Sequence, residues 1–494
     1  MDKYSLEFIT NYIKNDNNTN LQLFNQLYSD YQKSLLDYEQ KINILGIYFY
    51  DILKILTHIN LKINEINNNL EFKINNKKKL LNFPYYSVED IKKGINVTDK
   101  KYGKKLSDNK KKIFKKLINF KNLLISKKNI ITSYPIKIDD NYLFYSINTK
   151  TKKNFIYQYY IGKDIYKIPL LNEQLIKLEI ILNNIEKNLF MKIKNLRLSK
   201  IITLHIKANC IDGKEKFKIN SDYFIIESGV ELKNRIVSSI AKQNNIKIIQ
   251  ISHGDCYGVF DEPIWSSIGD QFNADYILGY GDGYIKYNKF NKFSLNKNAI
   301  YINGTSKIVD KIQNDKAFNK NYTVNDLKFV YFPTTFSGYT KRHGPYRDMP
   351  DNLYQKWHLK LNNLFKKKLI FKVHPKEDYI EFFNEDLIVN KDKVSNYFRV
   401  NHVLIFEHIS TAFNIAASSN NHIIYFDLGT RNLNNEALKC IKKRALYFKI
   451  EKELPKLDEL LEQLNNKYID YSYVENFCIG LQETRLKSLI NMIK

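Results

Sequence analysis

Between residues 221 and 252 the chain alternates two textures. SDYFIIES (221–228) is a short apolar run with polar ends. GVELKNRIVSSIAKQNN (229–245) spaces its apolar residues at about one helical turn, and IKIIQIS (246–252) is again continuously apolar. A run of roughly four to eight residues rich in β-branched side chains reads as a strand buried on both faces, and a 3.6-residue period reads as an amphipathic helix. The stretch therefore predicts strand, helix, strand, the unit of a parallel sheet. ADYILGYGD (274–282) and AIYINGTS (299–306) continue the alternation. A second series starts at LKFVYFPTT (327–335), a strand entering a loop. It continues with a helix over 352–367, the strands KLIFKVHP (368–375) and HVLIFEH (402–408), a helix STAFNIAASSN (410–420) with Ser410 as its N-cap, and the strand HIIYFDLGT (422–430).

Two successive series predict an α/β protein with two Rossmann-like domains facing a cleft, over residues 146–310 and 311–494, the second ending in a helix. Residues 1–145 read as a helical, basic N-terminal extension. Its segment 23–56 has apolar residues near helical spacing, as expected of packed or oligomerising helices. KIPLLNEQLIKLEIILNNIEKNLF (167–190) also reads as helical.

Composition narrows the class. Apolar residues make up 44% and aromatics 14% of 494 residues, a globular balance. The formal charge of +26 raises nucleic acid or an anionic surface as partner. Lys greatly exceeds Arg, however, and is enriched together with Asn, Ile and Tyr, as an A/T-rich genome would impose. Base-reading and bidentate phosphate sites favour Arg. The charge is therefore read as a solvated basic surface, with no specific nucleic acid as partner. The basic stretch 76–130 is either a solvated face or, through its Ile, Leu and Phe, a contact with an anionic membrane surface. Four scattered cysteines without a CxxC fit a reducing compartment. The N-terminus shows no cleavable-signal pattern, and no apolar run is long enough to span a bilayer. The expected location is the cytoplasm, free or peripheral at the inner face of the cell membrane.

Ligands of open α/β sheets sit beyond the carboxyl ends of the strands, so the polar residues at strand tips are the candidates. His253, Gly254 and Asp255 follow the strand at 246–252; Gly254 and Gly258 allow close backbone approach, and His253 can serve as acid, base or phosphate donor. Lys372, His374 and Pro375 end another strand, with Pro375 fixing the turn and Lys372 and Lys376 supplying positive charge for an anionic ligand. Glu407, Ser410 and Thr411 open a helix whose free N–H groups suit a phosphate. Thr334, Thr335 and Ser337, followed by Arg342, form a candidate loop over the cleft. Each tip has a plainer reading as a strand terminator or helix cap. Nothing in the sequence matches a P-loop, a dinucleotide-binding GxGxxG after a strand, a GxSxG elbow or an HExxH site; GYGDGY (279–284) is only superficially similar to the second of these.

A strand ending in His253-Gly254, a strand ending in His374-Pro375 and a helix starting at Ser410-Thr411 resemble the two-domain GT-B transferases of bacterial surface polysaccharides. That group includes the CDP-glycerol glycerophosphotransferases and the CMP-sialic acid and Kdo transferases. SHGDCYG (252–258) and its sequel to 283 also look like surface-carbohydrate biosynthesis transferases, in which a His-Gly-Gly-x-Tyr-Gly element precedes an Asp and a Trp-Gly-Trp. Asp255 replaces the second Gly here, and Tyr280-Gly281-Asp282 replaces the Trp-Gly-Trp. The resemblance covers residues 165–445 and implies a metal-independent glycosyltransferase with no cofactor beyond its nucleotide-activated donor, CMP- or CDP-linked. It implies that Lys372, His374, Pro375, Glu407, Ser410 and Thr411 hold the donor in the second domain. It further implies that His253 stands at the reaction centre, with Asp255 and Glu262 as rival bases. The acceptor would be a cell-surface glycan or a lipid-linked one. A polyol-phosphate transferase on the same scaffold is the alternative. A nucleic-acid-binding or scaffolding protein is a lesser one, which leaves the recurrence of His and Gly at strand tips unexplained.

Overall fold

The computed structural model describes residues 5–11, short segments between 72 and 212, and residues 222–479 with main breaks at 252–257, 262–272, 288–297, 305–326, 337–350, 375–379 and 399–401. Two small sheets come from the first part of the chain. β1 (Phe72–Ile74) pairs antiparallel with β2 (Lys77–Lys79). The other strands of this part are β3 (Asn129–Thr132), β4 (Leu143–Ser146), β5 (Tyr157–Gln158), β6 (Ile168–Leu170) and β7 (Cys210–Asp212), of which β6 and β7 form a parallel pair.

The first large sheet adds β8 (Tyr223–Ile226), β9 (Lys247–Ile251), β10 (Tyr276–Tyr280) and β11 (Ile300–Gly304) to β3, β4 and β5, in the order β11-β10-β9-β8-β3-β4-β5. All of its pairs are parallel. The second contains β12 (Lys328–Tyr331), β13 (Ile370–Lys372), β14 (Ile388–Asn390), β15 (His402–Phe406), β16 (Ile423–Asp427) and β17 (Leu446–Lys449), in the order β14-β13-β12-β15-β16-β17. It too is parallel throughout. In each sheet the first strand in the chain lies beside the fourth, so the order reverses there and leaves a switch point, the doubly wound arrangement.

Among the described residues from 222 on, the α-helices are α1 (Leu232–Gln243), α2 (Gly281–Tyr287), α3 (Asp351–Leu364), α4 (Thr411–Ala417), α5 (Asn435–Arg444), α6 (Leu457–Asn465) and α7 (Ser472–Phe477). The second sheet shows why its strands read as unbroken apolar runs. Val403 and Ile405 of β15 pack into one core with Trp357, Leu361 and Phe365, while Leu404 and Phe406 pack into the other with Phe413, Ile441 and Tyr473. Both faces are covered by helices, so the period-2 alternation separates two cores instead of core from water.

The first part of the chain departs from the helical expectation. The boundary at 145/146 cuts the first sheet, because β3 lies before it and pairs with β8, and β4 straddles it and pairs with β5. NIIT and LFYS carry the β-branched and aromatic residues of strands, but each is only four residues long among polar and basic neighbours. β6 begins the segment 167–190 as a strand, and residues 176, 180 and 183 are helical. Residues 6–11 are helical and place Leu6 and Ile9 in the core of the second unit, where Thr10 Oγ1 donates to the Glu451 carbonyl at 2.9 Å. The segment 23–56 lies outside the described residues, and the basic stretch 76–130 does so apart from β2 and the start of β3. Among the described residues no helix is long and apolar enough to cross a membrane.

Candidate functional site

The switch point of the second sheet lies between β12 and β15. Their ladder runs in register from Lys328↔His402 to Tyr331↔Ile405, and its last main-chain bond is Phe332 N–H to the Ile405 carbonyl at 2.9 Å. Pro333 follows and has no N–H to offer. The next amide, Thr334 N–H, donates at 3.0 Å to Oε1 of Glu407, the residue just after β15. Thr334 Oγ1 approaches the same oxygen at 3.4 Å, and the Tyr354 hydroxyl of α3 donates to it.

Behind this contact lies a chain of polar groups. Trp357 Nε1 donates to the Tyr331 hydroxyl at 3.0 Å, and the Tyr331 and Tyr354 hydroxyls are 3.4 Å apart. Glu407 is 3% exposed. Burial alone would raise its carboxyl, but the facing His408 and the hydroxyls of Tyr331 and Tyr354 outweigh that and hold it down at about 2. Burial, with the Glu407 charge added, pushes the Tyr331 and Tyr354 hydroxyls well above the usual phenol range, so both stay protonated donors.

The expected donor residues fall into two groups. His374 is exposed just beyond β13, while Ser410 is half-buried and Thr411 exposed at the start of α4. Ser410 occupies the N-cap position with φ −145° and ψ 176°, yet its hydroxyl makes no capping bond, contrary to the expected cap. Lys372 and Glu407, by contrast, do not stand at the surface. Lys372 is 2% exposed, and its ammonium turns back onto the Val373 carbonyl at 2.7 Å. Burial pulls the Lys372 pKa down, partly opposed by Asp392. Both side chains are buried and bonded within the fold, unlike the exposed placement expected of them, and a carboxylate would repel a phosphate. Thr334 and Thr335 are described and half-buried, whereas Pro375, Ser337, Arg342, His253, Gly254, Asp255 and Glu262 lie outside the described residues.

The chain leaves β9 at Ile251 and is described again from Gly258, where it is bound to the second unit. Asp261 N–H donates to the Asn432 carbonyl at 2.8 Å, Asn434 N–H donates to the Val259 carbonyl at 2.9 Å, and Phe260 and Leu433 form an isolated antiparallel bridge. The Asn434 side chain donates to the Gly258 carbonyl while accepting from Ala437 N–H to cap α5. The guanidinium of Arg431 lies 5.5 Å from the Phe260 ring centre. Gly258 has φ +83°, and a Cβ there would stand 2.7 Å from the Tyr284 Cα, so the close approach expected of it is real. Residues 258–261 beyond β9 and residues 432–434 beyond β16 are thus stitched together in one seam.

GYGDGY serves this joint. It runs from the end of β10 into α2, and a Cβ on Gly281 would stand 2.4 Å from the carbonyl oxygen of Asn476 in α7. Tyr331, Tyr354, Trp357 and His358 were not candidates in the sequence. They occupy ordinary core positions of a strand and a helix, and only the strand order places them under the switch point.

No family model matches the chain, and no curated protein matches it. Two solved structures are similar to it. One is a glycosyltransferase from Rickettsia africae, 10% identical, with a TM-score of 0.35 over 75% of this chain and 98% of that one. The other is Arabidopsis thaliana UGT89C1 complexed with UDP, 11% identical, with a TM-score of 0.32 over 67% of this chain and 81% of that one. The doubly wound assignment rests on the strand orders above.

Proposed function

We propose that the chain is a metal-independent transferase of GT-B type that moves a sugar from a cytidine nucleotide donor, CMP-linked, to a surface glycan or lipid-linked acceptor. The observation that carries this reading is the seam: loops that follow strands of two doubly wound sheets are hydrogen-bonded to each other, and open α/β sheets bind ligands beyond the carboxyl ends of their strands. On the second sheet the tips offer the exposed His374 and the hydroxyls of Ser410 and Thr411, donors suited to a phosphate leaving group. From the loop beyond β9, His253 would take the proton of the acceptor hydroxyl, a role worth typically 10²–10⁴-fold in rate.

Thermal unfolding in the presence of CMP, CDP, UDP, GDP and dTDP tests the nucleotide site. A nucleotide at about 100 times its Kd adds about 2.7 kcal/mol to the stability of the folded chain. The expected result is a rise in Tm with CMP or CDP. A preference for UDP or GDP would overturn the cytidine assignment, and no rise with any of the five would overturn the site.

A further inference from the structure

We propose that Glu407 is a positioning residue whose side chain replaces one rung of the β12–β15 ladder and so holds the switch-point crevice open. In the register of this ladder, the main-chain bond after Phe332 N–H to Ile405 O would run from Thr334 N–H to the carbonyl of Glu407. The side-chain carboxylate of that same residue takes the amide instead, at 3.0 Å. A side chain reaches further than a main-chain carbonyl. The two strands can therefore part at the switch point while their tips stay tied, and Thr334 and Thr335 are set at the mouth of the opening.

Three features favour positioning over ligand contact or simple packing. Oε1 gathers the Thr334 amide, the Thr334 hydroxyl and the Tyr354 hydroxyl, with His408 Nδ1 3.5 Å away, so its partners come from the loop, from the helix behind it and from the next residue. Oε2 is buried without a hydrogen-bond partner, so neither oxygen is offered to solvent or ligand. An ionised carboxylate is among the most expensive groups to bury, and an apolar residue of similar size would pack there at less cost. What the apolar residue could not do is bind an amide that follows a proline.

This deepens the proposed transferase and rests on it for its consequence, weaker donor binding when the rung is lost; the rung itself is tested separately. Glu407→Gln keeps the shape and removes the charge, and Tyr354→Phe removes a donor from the same oxygen while leaving the Thr334 amide and the carboxylate in place. Amide hydrogen exchange at Thr334 is compared with exchange at Leu404, whose N–H bonds the His422 carbonyl at 2.9 Å inside the sheet. Because a charge-assisted bond is about twice as strong as a neutral one, exchange at Thr334 should rise about tenfold in Glu407→Gln while Leu404 keeps its protection. Tyr354→Phe should give a smaller rise, and the double variant less than the product of the two, since both act through one oxygen. The Kd of the nucleotide found in the thermal screen should weaken about tenfold in Glu407→Gln, in proportion to the loosened rung.

Unchanged exchange at Thr334 overturns the rung. Equal increases at Thr334 and Leu404 in both variants assign Glu407 to bulk stability and overturn positioning. A loosened rung with an unchanged Kd overturns its link to the crevice. If the parent protein binds none of the five nucleotides, the transferase reading and that link fail together, and the exchange data still decide the rung.

Discussion

His358 sits one turn along α3 from Tyr354, with both ring nitrogens buried and without a hydrogen-bond partner. Phe383 stacks on it at 5.3 Å, the Tyr354 ring lies 4.2 Å away, and Phe336 and Phe371 meet it edge-on. Burial pushes its pKa down to about 3, opposed only in part by the Glu407 charge. Free histidine titrates near 6.5, so below that pH the unfolded chain binds a proton that the folded chain refuses. A depressed pKa stabilises fully above about 6.5, and that stability drains away as the pH falls toward about 3. Glu407 follows the same sign in a lower window, from its usual 4.5 down to about 2. Unfolding free energies at pH 7 and pH 5 should therefore differ less for His358→Phe than for the parent, by roughly 1.4 kcal/mol per pH unit. An equal loss in both proteins would show that His358 titrates freely. Nothing in NLYQKWHLKLNN marks this histidine, because a helical period tells which face is buried but not which aromatic rings will close around it.

The elements were legible to different degrees. β8, β9, β10 and β11, and the strands of the second sheet except β14 and β17, stand out because each is an apolar run set between turn residues. β3, β4 and β5 do not, because strands of two to four residues add almost no periodic signal among polar flanks. Glycines illustrate the same limit. Gly281 has φ +74° and a Cβ position 2.4 Å from the Asn476 oxygen, whereas Gly429 has φ +71° with nothing within 4 Å. Gly429→Ala should cost about 1 kcal/mol, from backbone strain alone. Gly281→Ala adds a main-chain clash between α2 and α7 and should cost roughly 2–3 kcal/mol more. Equal losses in chemical denaturation would show that α7 does not press on α2.

Across the whole molecule, charge and seam set the terms. The net charge of +26 is densest in 76–130, and we propose that this stretch meets an anionic membrane where a lipid-linked acceptor would be presented. Deleting the stretch would be a poor test, because Asn129 and Ile130 belong to β3 near the middle of the first sheet. Replacing Lys110, Lys111, Lys112, Lys115 and Lys116 by Gln leaves the strand intact. Flotation with vesicles containing phosphatidylserine should then recover less protein than with the parent, and the difference should shrink as salt rises. Equal recovery would remove the membrane from the reading.

By itself, the sequence determined that strands and helices alternate in two series, that those strands are buried on both faces, and that polar residues gather at their carboxyl ends. Those properties are local, since an apolar run or a helical period needs only its own neighbours. Only the tertiary structure decided that Thr334 meets Glu407, that Lys372 turns inward, that β3 and β4 join the first sheet, and that GYGDGY seats a helix. Each of these depends on which strands lie side by side and which loops are drawn together, and residues 73 positions apart in the chain carry no mark of their contact.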